Sequence, residues 1–217
     1  FTMDKILLGD VFIRGGSSSG THVLEEGRPI GQFYGLVCNG IDENGRYIMV
    51  DKDGDGEISD PADYDYIGSA QPKLTYGITN TFRYKNFDLS FFLRGTIGND
   101  ILNATRMAYA QSGFLPGTNA LDDPLTYTLS ETPRFSNYYL EKGSFMRLDN
   151  LTLGYKIKAL NGIRVYFTAQ NLFVITKYKG LDPEVPMDSG DGLTPGVEPR
   201  EFYPKARTFS VGLNLNF

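Results

Sequence analysis

The chain has 217 residues, a formal net charge of -5 and a pI near 5.0. That length allows one or two domains with real cores, and the charge offers no basic stripe to track a phosphate backbone, so nucleic acid is not an expected partner. A mean hydropathy of -0.27, with no run approaching the ~20 apolar residues of a spanning helix, excludes a helical membrane protein.

From the N-terminus, Phe1 is not an initiator methionine and no basic-then-apolar signal segment follows it, which predicts a piece of a longer chain. GGSSSG at 15–20 lacks the lysine and the following helix of a phosphate loop and reads as a flexible turn. His22 is the only histidine, and nothing near it resembles a nucleophile elbow. With no HExxH pair and no CxxC either, a convergent catalytic set is missing and the protein is not expected to be an enzyme. PIGQFYGLVCNG, 29–40, suggests a strand of irregular pattern. Cys38 within it is the lone cysteine and cannot make an internal disulfide.

The acidic stretch DKDGDGEISD, 51–60, has the spacing of a calcium loop. Asp51, Asp53 and Asp55 fall at positions 1, 3 and 5, Gly56 at the sharp turn, and the Glu57 carbonyl at position 7. Hard oxygen ligands on alternate residues of a tight loop can converge on one Ca²⁺. The departure is Ala62 at position 12, where a bidentate acid belongs; Asp63 comes one residue later, a shift that could be absorbed around Pro61. Two readings stand: a calcium site made by Asp51, Asp53, Asp55, Glu57 and Asp63, or an acidic turn kept soluble by its charges.

Hydrophobic period two then dominates. Leu74, Tyr76, Ile78, Phe82 and Tyr84 alternate with polar or small residues, and after a tight Lys85-Asn86 turn Phe87, Leu89, Phe91, Leu93 and Ile97 continue in phase, predicting a hairpin. The segment 99–144 is a long connection in which NDILNATRMAYAQ could form a short helix. Leu151, Leu153, Tyr155 and Ile157, then Ile163, Val165, Phe167 and Ala169, give a second pair around Asn161-Gly162. A further long connection, 177–206, leads to a last strand with Phe209, Val211, Leu213, Leu215 and Phe217 in phase.

Tiny turns at 85–86 and 158–162 thus alternate with connections tens of residues long, the asymmetry of a transmembrane β-barrel. Tyr84, Phe87, Tyr155 and Phe217 all fall beside the short turns or the terminus, as an interfacial aromatic girdle would. The fold class expected is therefore all-β, an antiparallel barrel segment of about six or seven strands, short of the minimum of about eight for closure. A β-sandwich whose core contains aromatics is the alternative, which as a secreted calcium-binding module, adhesin or glycan-binding domain would make the acidic loop central.

The final SVGLNLNF fits the polar-x-Gly-x-x-apolar-x-apolar pattern through Ser210, Gly212, Leu215 and Phe217. It resembles the signal by which the barrel assembly machinery of Gram-negative outer membranes recognises its clients. EGRPIGQFYGL (26–36), IGSAQPKLTYGITNTFRYKNFDLSFFLRGTIGNDILNATR (67–106), SFMRLDNLTLGYKI (144–157), RVYFTAQNLFVITKYKGLDPEV (164–185) and YPKARTFSVGLNLNF (203–217), in this order, resemble the C-terminal part of SusC/RagA-type TonB-linked outer-membrane proteins. The resemblance implies that residues 1–217 belong to a large barrel whose plug, TonB-contacting segment and signal peptide are not in this chain. It further implies import of oligosaccharides or peptides with a SusD-like surface lipoprotein, energised by the TonB complex, in a barrel surrounded by outer-membrane lipid. Counting strands back from a periplasmic Phe217 puts 40–72, 99–144 and 177–206 outside the cell, so any calcium would stiffen an extracellular loop and no cofactor is required for transport. Tyr109, Phe114, Tyr127, Tyr138, Tyr139 and Tyr178, with Asn99, Asn103 and Arg106, are the residues in those loops that could meet substrate, or could simply pack their own loops. The substrate itself is not readable, and carboxylates such as Asp88 and Asp149 suit a polar barrel wall.

Overall fold

The computed structural model describes residues 13–14, 20–25, 27–59, 61–117, 119–158, 163–185, 194–200 and 203–215. The Asn161-Gly162 turn, residues 15–19 and Phe217 lie outside them. In chain order the first strands are β1 (Ile13–Arg14), β2 (His22–Leu24), β3 (Gln32–Leu36), β4 (Cys38–Ile41), β5 (Tyr47–Met49) and β6 (Tyr64–Ser69). There follow β7 (Leu74–Tyr84), β8 (Phe87–Ile97), β9 (Asp100–Leu102), the helices α1 (Ala104–Tyr109) and α2 (Pro124–Thr128), β10 (Leu140–Lys142), β11 (Phe145–Ile157), β12 (Ile163–Thr176) and β13 (Thr208–Asn214).

The period-two segments pair into one antiparallel sheet in the order β13-β12-β11-β8-β7. Register sets its two faces, because directly opposed residues share a side. Ile78 lies opposite Leu93 and Phe82 opposite Leu89; Leu89 faces Leu153, Leu153 faces Phe167, and Phe167 faces Val211. One apolar face therefore crosses all five strands. No layer covers it among the described residues: Ile78 is 52%, Phe82 54%, Leu213 63% and Val211 76% exposed. A sandwich would bury this face against a second sheet, whereas a barrel wall turns it to lipid. The opposite face carries Thr81, Ser90, Thr152, Thr168 and Ser210 in one row across the strands.

The hairpin joining β7 and β8 turns through Lys85 at a φ of 54°, the positive-φ geometry that matches strand twist in two-residue turns. Tyr84 and Phe87 flank it, and the Phe87 and Tyr155 rings lie 4.6 Å apart. Three of the four expected girdle residues thus gather at one rim. The opposite rim is formed by Leu74, Ile97, Phe145 and Thr176, and the long connections leave from it.

Those connections fold into a cap with its own interior. Around β3-β6 and β9-β10 pack Phe33, Ala70, Leu102, Ala110, Leu125 and Tyr139, all buried. Asn103 caps α1 by accepting the Arg106 N–H at 2.8 Å, and Asp123 caps α2 by accepting the Leu125 N–H at 2.9 Å. Pro124 opens α2 where its missing N–H has no helical partner to lose. Segment 29–40 divides between β3 and β4, in two different small sheets, which accounts for its irregular period. It joins the cap, so five described strands make the wall, against the six or seven anticipated.

Candidate functional site

In the acidic loop, carboxylate oxygens of Asp51, Asp53 and Asp63 lie within 4.8 Å of one another. Asp63, not the residue at position 12, completes the group. The loop closes on its own backbone: Asp51 accepts N–H groups of Gly54 at 2.6 Å and Gly56 at 2.8 Å, and Asp63 accepts those of Lys52 and Ser59, both at 2.7 Å. Gly54 and Gly56 adopt φ of 79° and 88°, a region in which L side chains are strained. Asp55 stays outside the convergent group and accepts the Glu57 N–H at 2.8 Å; the Glu57 side chain is exposed. The Ser59 and Lys52 N–H groups hold the buried Asp63 carboxyl below the ordinary aspartate range. Asp53 goes the other way: the Asp55 N–H lowers it, but desolvation and the charges of Asp55, Asp63 and Asp51 together raise it. Each carboxylate oxygen has a second lone pair, so these hydrogen bonds leave room for a cation.

Where the wall meets the cap, charged side chains from both are tied together. Asp149 is the extra residue in a register shift of β11 against β8, and Asn171 sits opposite at a φ of 51°. Bulges of this kind re-aim side chains. Arg147, 1% exposed, donates to Asp182 at 2.5 Å and also to Asn171. Arg94 grips Glu184 with two nitrogens at 2.5 and 2.9 Å and reaches Asp149 at 3.1 Å. Lys205 closes on Glu184 as well. Segment 182–184 is thereby latched to the polar face of the wall, and a cavity of about 360 Å³ lies beside it, lined by Thr75, Arg94, Thr96, Asn99 and Glu184 among others. Nearer the short turns, Arg164 clamps Asp88 through two bonds of 2.9 and 2.5 Å. The sequence placed acids on the wall but gave no sign of their arginine partners.

Several residues considered for substrate contact also serve the packing of the cap. Tyr139 is fully buried and its hydroxyl lies 2.5 Å from that of Tyr47; Tyr178, Asn99 and Asn103 are also buried. Arg106 donates to Asp123 at 2.9 Å and lies over the Tyr138 ring. Tyr127 stands 75% exposed, and the side chain of Phe114 is outside the described residues. Tyr109 lies in the last turn of α1 and is half-buried. His22 is buried, with Nε2 donating to the Pro195 carbonyl and Nδ1 beside the Thr21 hydroxyl, both at 2.9 Å.

On β13, Ser210 and Gly212 point to the polar face, opposite Thr168 and Tyr166, while Leu215 is half exposed beyond the strand. The Tyr166 ring occupies the space a Cβ on Gly212 would need. Spacing alone could suggest a glycine signal, but not the ring that covers it.

No protein-family model matches the chain. It is 36% identical over 228 residues to the TonB-dependent receptor SusC of Bacteroides thetaiotaomicron, covering 96% of this chain and 21% of that one. With the TonB-dependent receptor P3 of Formosa agariphila it shares 34% identity over 237 residues, 91% of this chain and 23% of the other. Among solved structures, the RagAB peptide transporter superposes with a TM-score of 0.68 at 26% identity, covering 89% of this chain and 23% of its counterpart. The RagAB peptide importer in its closed-closed state gives 0.70 at 25% identity, with coverages of 98% and 25%. The chain spans about a fifth to a quarter of the length of these relatives. These identities over most of its length, together with the shared fold, show that the chain belongs to the SusC/RagA-type TonB-dependent receptors.

Proposed function

We propose that the chain is the C-terminal part of an outer-membrane active transporter that imports oligosaccharides or peptides together with a SusD-like surface lipoprotein. The observation that carries this reading is the uncovered apolar face spanning all five wall strands, with the described parts of the long connections gathered at one rim. In this reading the wall lines a polar lumen, and the cap faces the medium and the lipoprotein. The TonB complex acts through a plug elsewhere in the full-length protein. Transport proceeds by capture and plug rearrangement, with no bond chemistry. Ser210, Gly212, Leu215 and Phe217 present the terminal strand to the barrel assembly machinery. Deleting the full-length gene, or disabling TonB, should abolish uptake of one oligosaccharide or peptide class by intact cells, and re-expression should restore it. Uptake that persists without TonB would leave a passive pore.

For the acidic loop we propose a weak Ca²⁺ site held by Asp51, Asp53 and Asp63, within the ~0.1–1 mM range of extracellular modules. Its support is the convergence of the three carboxylates, with desolvation and the neighbouring acidic charges raising Asp53. Asp55 and Glu57 would add backbone carbonyl or water-mediated contacts at most. Calorimetry on the full-length protein should show calcium heat that Asp51→Asn removes, and no heat with the native loop would leave an acidic turn.

A further inference from the structure

Between α1, the approach to α2 and the 179–181 turn, the cap encloses a cavity of about 240 Å³ whose lining includes Thr105, Arg106, Asp122, Asp123, Lys179 and Glu198. Much of its polar wall is committed to the fold. Arg106 is matched by Asp123, Asp123 caps α2, and Asn103, also in the lining, both caps α1 and donates to Glu141 at 3.0 Å. Glu198 is not so matched. It is 1% exposed, yet among the described residues it is met only by two long backbone bonds, from Thr105 at 3.4 Å and Leu181 at 3.3 Å, and by the neutral Tyr178 phenol, with no ion pair.

Beside it, the buried Thr105 hydroxyl has no hydrogen-bond partner among the described residues. Burial and the Glu198 charge push the Tyr178 phenol far above its ordinary range, so it stays neutral beside the carboxylate. Carboxylates are almost never fully buried without a cation, because desolvation costs several kcal/mol that only a partner offsets. Glu198 has lost its water but opens on a space large enough for a ligand group to bring that partner.

We propose that this cavity is a subsite for a primary ammonium group, held by the Glu198 carboxylate and the Thr105 hydroxyl. An ammonium offers three donors, and the lining carries three acids, Asp122, Asp123 and Glu198, against two bases, Arg106 and Lys179. Among the described residues no aromatic ring lines the cavity to stack on a neutral sugar face. The inference rests on the transport reading and deepens it by naming a group on the cargo. Peptides and amino sugars both carry such a group.

The test is titration of the full-length transporter in detergent with triglycine, N-acetyl-triglycine, the glucosamine trimer and the N-acetylglucosamine trimer. Losing one charge-assisted bond predicts that acetylation weakens binding about tenfold or more in one pair, and which pair responds identifies the source of the ammonium. Glu198→Gln keeps an oxygen for the backbone N–H groups but removes the charge, and should erase the contrast. Equal binding of acetylated and free forms, binding of none of the four, or a contrast that survives in Glu198→Gln would overturn the subsite. TonB-dependent uptake by the same protein would meanwhile stand or fall separately. Should Glu198→Gln not fold, the acetylation contrast in the native protein still decides, and Thr105→Val should reduce it.

Discussion

In the wall, Val211, Leu213 and Phe82 stand uncovered while arginines and acids pair on the other face; in the cap, Phe33, Leu102 and Tyr139 are sealed inside. The same chain thus follows two solvent rules, divided at the rim of Leu74, Ile97, Phe145 and Thr176. A strand facing lipid is stabilised by leaving its apolar side chains out, whereas a loop in water holds only if it finds a core. The latch of Arg147, Arg94, Asp182 and Glu184 sits where the two regimes meet.

The sharpest way to break this division is at the latch. Arg147→Met should leave Asp182 buried without its cation and destabilise the full-length barrel by about 3–5 kcal/mol, read as a lowered temperature of heat modification. The cap interior comes next: Leu102→Ala should cost about 2–5 kcal/mol and raise protease sensitivity in 99–144, leaving the wall strands folded. On the wall the effect should depend on face alone. Ile78→Arg should cost about 2–4 kcal/mol if it lies near the bilayer midplane, and Thr79→Arg, one residue along, should be close to neutral, both measured by refolding into vesicles. The smallest change is in the acidic loop. Because the Asp63 carboxyl is held below its unfolded value of about 3.9, its contribution is complete above that pH and is lost as pH falls through the folded value. Protection of the Lys52 and Ser59 amides, taken relative to their intrinsic exchange rates, should therefore fall in acid, and in Asp63→Ala at neutral pH.

How far the sequence could be read follows the same line. Strands β7, β8, β11 and β12 were legible almost to the residue because each is half apolar, and a period of two survives any tertiary context that leaves both faces in place. The cap was not legible, since its strands are two to six residues long and some pair across large separations, as β9 does with β10. The acidic spacing drew attention to Asp51, Asp53 and Asp63, whose carboxylates converge, but a linear template also enrolled the Asp55 carboxylate, which lies outside that group and accepts the Glu57 N–H. Tyr139 and Tyr178 sit in loops that could meet substrate, and their burial in the cap has no signal in the sequence. Glu198 carried no local pattern; its interest lies in having lost water without gaining a cation.

The central claim is that one face of the wall meets lipid while the cap meets water. Site-directed spin labels at each position from 76 to 83 in the full-length protein, reconstituted in vesicles, test it directly. Cys38 should interfere little, being buried, with its thiol raised in pKa chiefly by desolvation. The account predicts oxygen accessibility that alternates with period two, high at Ile78 and Phe82 and low at Thr79 and Thr81, together with full access of a polar nickel reagent at Tyr127 in the cap. Equal polar-reagent access at Ile78 and Tyr127, or no alternation along the strand, would contradict it.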